Sequence, residues 1–163
     1  MPIWEPKIML RSVTGITVEI LQKLCVGALI LDLDNTLTTH NNPVPDSRVL
    51  EWLDRMKSAG IKLVLVSNNR EKRVLPFAGE LGLTYTANAM KPLTMGFKRT
   101  AKRMGLKPGS IAVVGDQLFT DIIGGNIFGS PTILVQPMQA ESGPFFRLRR
   151  KIERRLLKDR EYL

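Results

Sequence analysis

Asp32 and Asp34 close an apolar run that begins at Val26. Ser67-Asn68-Asn69 follows a second such run, Ile61 to Val66, and Lys91-Pro92 stands just before a helical pattern. Gly115-Asp116-Gln117 follows a third run, Ile111 to Val114, with Asp121 five residues beyond Asp116. If these four clusters converge, they bring together four carboxylates, a hydroxyl and an ammonium. Crowded carboxylates repel, so the set calls for a cation. Oxygen donors without Cys or His favour Mg²⁺ over zinc. His40 is the sole histidine and has no Cys or His neighbour to share a metal. A lysine and a serine beside that ion suit a phosphoryl group, which needs positive charge and donors around its oxygens. A carboxylate can attack phosphorus and carry it as an acyl phosphate. The chemistry this combination fits is phosphomonoester hydrolysis.

The elements that must position these residues alternate between two periods. Apolar runs at Ala28 to Asp34, Ile61 to Val66, Ile111 to Val114 and Thr132 to Val135 read as strands buried on both faces, and Leu83 to Thr86 as a short one. Helical spacing predicts Thr14 to Cys25, then a helix capped by Asp46 with Val49, Leu53 and Met56 on one face. A third covers Arg70 to Leu81 and stops at Gly82. A fourth opens at Pro92 with Leu93, Phe97, Ala101 and Met104 on one face. Leu118 to Phe128 is a short helix, and a last one runs from about Pro144 to Arg160. Alternating strands and helices with short connections predict an α/β fold of one domain over 1–163, a central parallel sheet between two helical layers. Such sheets bind ligands beyond the carboxyl ends of their strands, where all four clusters fall.

The chain has 163 residues with 44% hydrophobic composition, enough for one packed core and outside the disordered range. A single cysteine, Cys25, excludes an internal disulfide and fits a reducing compartment. No apolar stretch approaches the ~20 residues of a membrane span, and the first ten residues lack a signal-peptide core. These features predict a cytoplasmic protein. Net charge is +9, of which +5 lies between Gly143 and Leu163, where eight basic residues face three acidic ones. The basicity therefore belongs mainly to the last helix and to whatever that helix touches.

Asp32-Leu33-Asp34-Asn35-Thr36-Leu37 resembles the first motif of the haloacid dehalogenase (HAD) superfamily. Ser67, Lys91 and Gly115-Asp116…Asp121 stand in the order of its other three. Val66-Ser67-Asn68-Asn69, Lys91-Pro92-Leu93 and Gly115-Asp116-Gln117-Leu118-Phe119-Thr120-Asp121 with Gly124-Gly125-Asn126 resemble the YqeG-type branch of subclass IIIA. The resemblance implies a Rossmann-like three-layer fold and a Mg²⁺-dependent phosphatase. It implies Asp32 as nucleophile and metal ligand, and Asp34 as general acid then base with its carbonyl on the metal. Asp116 completes the ligands, and Asp121 holds a metal-bound water or orients Lys91. Ser67 and the Asn68 backbone grip phosphate, Lys91 neutralises charge, and Thr36 supports the loop. Thr38-Thr39-His40-Asn41-Asn42 departs from the branch, and no role carries over there.

Each cluster also has an ordinary reading. Asp32 and Asp34 could end a strand in a turn, Ser67-Asn68-Asn69 could cap a helix, Lys91 could be solvated, and Asp121 could answer a helix dipole. Two carboxylates at the end of a buried run are costly without a partner, and all four motifs in order weigh against coincidence. Only 33 positions separate Asp34 from Ser67, and 24 separate Ser67 from Lys91. Neither interval has room for a cap domain, so an open site is expected, suited to a head group presented by a large object. In the last helix Phe145, Leu148, Ile152 and Leu156 fall on one arc, opposite Arg147, Arg150, Lys151, Arg154, Arg155 and Lys158. The stripe either packs on the domain or lies on an anionic membrane. The branch is similar to phosphatidylglycerophosphate phosphatases, so a lipid phosphomonoester is the preferred substrate and peripheral membrane contact the expected partner. A soluble nucleotide or sugar phosphate is the first alternative. A nucleic-acid- or ribosome-associated protein using the basic helix is the second, and the complete motifs oppose it.

Overall fold

The computed structural model describes residues 1–163. Six strands form one sheet, every neighbouring pair parallel, in the order β1-β6-β5-β2-β3-β4. They are β1 (Ile8–Leu10), β2 (Ala28–Leu31), β3 (Lys62–Val66), β4 (Thr84–Thr86), β5 (Ile111–Gly115) and β6 (Thr132–Val135). The helices are α1 (Val18–Lys23), α2 (Ser47–Ser58), α3 (Glu71–Leu81), α4 (Met95–Met104), α5 (Ile123–Phe128) and α6 (Pro144–Leu156). Strand side chains alternate faces. Leu29, Leu31, Leu63, Leu65 and Val114 pack against Trp52 and Leu53 of α2 and Phe77 of α3. Ala28, Ile30, Val64 and Val113 pack on the other face against Phe97 of α4 and Phe128 of α5. Two apolar faces and two helical layers make the expected Rossmann-like sandwich. Between β2 and β3 the chain is used up by a loop and α2, and between β3 and Lys91 by α3 and β4. The expected lack of a cap follows from that spacing.

β2 lies between β3 and β5, and successive strands are added on its two sides. The sheet therefore reverses direction of growth at β2, the place where open α/β sheets form a crevice. Asp32 leaves β2 there, its N–H donating to the Val114 carbonyl at 2.9 Å.

Several local expectations are corrected. β1 is absent from the sequence reading because three residues carry too little periodicity; pairing with β6 defines it. The predicted helix over Thr14 to Cys25 is a 3₁₀ turn, Val13–Gly15, followed by α1, because Ser12 and Thr17 each cap their own segment. The strand ends at Leu31 instead of Asp34, since Asn35 turns left-handed at φ 62° and folds the Asp34 loop back. Pro92 does not open α4: the helix starts at Met95, and Leu93 is exposed. Leu118–Ile122 is a π-helical turn that leads into α5. α6 ends at Leu156, short of Arg160, and its apolar stripe is exposed rather than packed.

Candidate active site

Parallel strands deliver the four clusters to one end of the sheet. Side-chain oxygens of Asp32, Asp116 and Asp121 lie within 4.8 Å of one another. Asp121 reaches this group by passing Gly115, where a Cβ would sit 2.2 Å from its carboxyl carbon. Any other residue at 115 would displace it. The Lys91 ammonium bridges the cluster, donating to Asp32 Oδ1 at 2.7 Å and Asp121 Oδ1 at 2.6 Å. Asn68 holds the Lys91 backbone at both polar atoms: Oδ1 accepts its N–H at 2.7 Å and Nδ2 donates to its carbonyl at 3.0 Å. Ser67 is buried and its Oγ accepts the Asn69 N–H at 3.1 Å.

Asp34 stands apart from the cluster. Asn69 Nδ2 donates to one of its oxygens at 2.5 Å and Arg73 to the other at 2.8 Å. Asn69 stands in the Ser67-Asn68-Asn69 cluster with no role of its own assigned by the sequence, and Arg73 carries no motif signal. Asn69 lies beside the motif serine, and Arg73 arrives only because α3 starts at once after it. The Thr36 side chain makes no hydrogen bond, its Oγ1 being buried without a partner, while its backbone N–H donates to the Leu33 carbonyl at 3.3 Å. The loop is also tied by Asn35, which contacts His40 and both polar backbone atoms of Gln139, and by Thr38, whose carbonyl accepts the Asn35 N–H at 2.6 Å.

The other unanticipated residue is Arg150. Its guanidinium donates to Asp116 Oδ2 and to the Asp116 carbonyl, both at 2.9 Å, and to Glu153 at 2.8 Å. It belongs to the site rather than to the solvated basic face. Phe145, Phe146 and Arg149 of α6 complete one wall of a cleft of 310 Å³ whose other walls include Asp32, Asp34, Ser67 and Lys91. Two larger hollows, of 530 and 620 Å³, flank β4 and contain none of the motif carboxylates.

Two carboxylates, Asp32 and Asp121, share the Lys91 ammonium, and the third, Asp116, is paired with Arg150. Burial alone would lower the Lys91 ammonium, but Asp121 and Asp32 outweigh it and hold its pKa above the ordinary lysine value. Burial pushes the Asp121 carboxyl up to about 6, against the pull of Lys91 and with the help of Asp32. Burial, then Asp32 and Asp121, raise Asp116 well above its usual range despite Arg150. One ammonium cannot neutralise both Asp32 and Asp121, so both partners of the Lys91–Asp121 pair move upward. Asp116 Oδ1 is buried with no hydrogen-bond partner, while Oδ2 is occupied by Arg150. An all-oxygen donor set with an unpartnered carboxylate oxygen fits a hard divalent cation.

A stability prediction follows from these shifts. A carboxyl whose folded pKa is raised stabilises the fold while protonated and loses that contribution as pH rises through the folded value. Free of divalent ions, the protein should lose about 5 °C of melting temperature between pH 4.5 and pH 7 relative to its Asp121→Asn variant. Calorimetry of both in chelator checks this; parallel curves would show that Asp121 is not strained by its surroundings.

The fold and the carboxylate-lysine cluster at the strand ends define a phosphatase of the HAD type. The chain belongs to the haloacid dehalogenase-like hydrolase family, whose sequence pattern matches residues 42–129. It is 41% identical over 152 residues to "Probable phosphatase YqeG" of Bacillus subtilis, covering 93% of this chain and 88% of that one. It is 25% identical over 163 residues to phosphatidylglycerophosphate phosphatase 1, chloroplastic/mitochondrial, of Arabidopsis thaliana, covering 94% of this chain and 47% of that longer one. A crystal structure of an uncharacterized Listeria monocytogenes protein shares the fold, with TM-score 0.60 and 22% identity over 73% of this chain and 85% of that one. No helix is long and apolar enough to cross a membrane.

Proposed function

We propose that the protein hydrolyses a phosphomonoester through an aspartyl-phosphate on Asp32, with Mg²⁺ held by Asp32, the Asp34 carbonyl and Asp116. The convergence of Asp32, Asp116 and Asp121 around Lys91 carries this reading. When bound, the ion supplies positive charge that draws phosphate oxygens to the nucleophile and offsets charge in the transition state. Lys91 and Ser67 grip the remaining phosphate oxygens. Asp32 attacks phosphorus, forming an acyl-phosphate bond as the ester P–O bond breaks. Asp34, acting as the general acid, passes a proton to the leaving alkoxide. The resulting Asp34 carboxylate takes a proton from water, whose oxygen attacks phosphorus and releases Asp32 and inorganic phosphate. Asn69 and Arg73 fix the Asp34 carboxyl away from the carboxylate cluster, which keeps the proton-handling group distinct from the attacking one. Asp121 orients Lys91.

The substrate we infer is phosphatidylglycerophosphate, met at a membrane surface. Support comes from the Arabidopsis relative and from a cleft with no folded unit closing over it. The test is a substrate panel with Mg²⁺: phosphatidylglycerophosphate in vesicles against glycerol phosphate, nucleotides and sugar phosphates. The lipid is expected to lead by at least about tenfold in kcat/KM. A soluble phosphate in first place would remove the lipid substrate and leave the mechanism standing.

A further inference from the structure

The inward face of α6 is polar. Arg149 and Arg150 turn toward Glu141 and Asp116, and Glu153, paired with Arg150, is buried. The apolar residues lie elsewhere on the helix: Phe145, Leu148, Ile152 and Leu156 are 70%, 57%, 40% and 39% exposed. At about 100° per residue they share an arc of roughly 80°, and an arc of Arg147, Lys151, Arg154 and Arg155 adjoins it, with Lys158 just past the helix end. All five of those basic residues are exposed. The stripe starts at the site itself, because Phe145 also lines the catalytic cleft. Around the turn that carries Lys91, Met90, Leu93 and Met95 are 56%, 54% and 60% exposed. Met90 holds a left-handed φ of 58°, a conformation costly for a non-glycine residue.

We propose that the outer surface of α6 docks on an anionic lipid surface, its apolar stripe entering the headgroup boundary and its basic arc meeting lipid phosphates, so that the mouth of the cleft faces the bilayer. The proposal rests on the lipid-phosphomonoester reading for its biological purpose, but its geometry stands on α6 alone. An apolar arc beside a basic arc is the pattern of helices that lie in the interface plane. Charge selects the occupant. A second copy would bring an identical basic arc against this one and repel it. A nucleic acid would account for the arginines and leave Leu148, Ile152 and Leu156 in water. An anionic bilayer satisfies both arcs at once. The ion pairs beneath, from Arg149 and Arg150 to Glu141 and from Arg150 to Asp116, fix the helix to the cleft face of the domain. Docking therefore aims the cleft at the membrane instead of merely tethering the protein to it.

The test is flotation of the full chain with vesicles of phosphatidylcholine and phosphatidylglycerol, beside turnover of p-nitrophenyl phosphate. One variant combines Leu148→Ser, Ile152→Ser and Leu156→Ser. A second combines Lys151→Gln, Arg154→Gln and Arg155→Gln, leaving Arg149 and Arg150 in place. All six residues are exposed, so the fold should survive. Each variant is expected to lose about tenfold or more in vesicle partitioning while keeping the parent's rate on p-nitrophenyl phosphate. Added salt should weaken the parent as the glutamines do. Equal partitioning of parent and serine variant overturns the docking; lipid hydrolysis by the parent in detergent would then still uphold the substrate. Selective loss of partitioning by both variants upholds the docking, and if no lipid phosphate is cleaved in any form, only the substrate reading falls. Salt-sensitive binding to RNA that survives the serine changes, without vesicle binding, overturns the proposal in favour of a nucleic acid.

Discussion

Asp32→Asn should lower turnover on the order of 10⁴-fold or more while leaving the fold intact. The amide is nearly the same size as the carboxylate, so Lys91 keeps an acceptor at this position and a second one on Asp121. In the proposed mechanism what disappears is the charged oxygen that attacks phosphorus, and removal of a nucleophile has effects of this size. The same change removes one of the three crowded carboxylates. In chelator the variant should therefore melt at or above the parent's temperature, the opposite of what a damaged fold would do. Steady-state kinetics on purified protein, with a melting curve on the same sample, checks both halves. Substantial hydrolysis by the pure variant would refute Asp32 as nucleophile. A sharp fall in melting temperature would show that the carboxylate serves the fold rather than the chemistry.

Removal of divalent cations should be nearly as severe, roughly 10³-fold or more in kcat, and fully reversed by Mg²⁺. The donors are all oxygen, and one of them, Asp116 Oδ1, is buried without a partner. Zn²⁺ should restore activity poorly, because it favours nitrogen and sulfur donors in tetrahedral sites, whereas Mg²⁺ favours octahedral oxygen. Beryllium fluoride with Mg²⁺ should inhibit by occupying Asp32 as a phosphoryl mimic, and should give no inhibition of this kind in chelator. Full activity in excess EDTA would end the metal-dependent mechanism.

The sheet and the carboxylates were readable in the sequence for the same reason. A strand buried on both faces is a short unbroken apolar run, so Ala28–Leu31, Lys62–Val66 and Ile111–Gly115 stand out, and the polar residues that end them mark where a parallel sheet opens to solvent. β1 was not readable, because Ile8–Leu10 is too short to display a period and is a strand only through its pairing with β6. The contacts of Asn69, named only as part of a motif, and of Arg73 were hidden for a different reason. Neither differs in type from an ordinary loop or first-turn residue, and only the placement of β3 beside β2 brings both within 2.8 Å of Asp34.

Residue order alone determined that a parallel sheet would gather Asp32, Asp34, Ser67, Lys91, Asp116 and Asp121 at one end, because strand period and chain direction leave those side chains no other place. It also determined which residues of the last helix share an arc. It could not determine which arc turns inward. Hydrophobicity by itself would bury Phe145, Leu148, Ile152 and Leu156, yet these are exposed while Arg149, Arg150 and Glu153 face the protein. The surface that receives α6 decided the matter. It carries the buried carboxylate of Asp116 and that of Glu141, whose side chain is 3% exposed, and a buried carboxylate without a cation is costlier than an apolar side chain left in water.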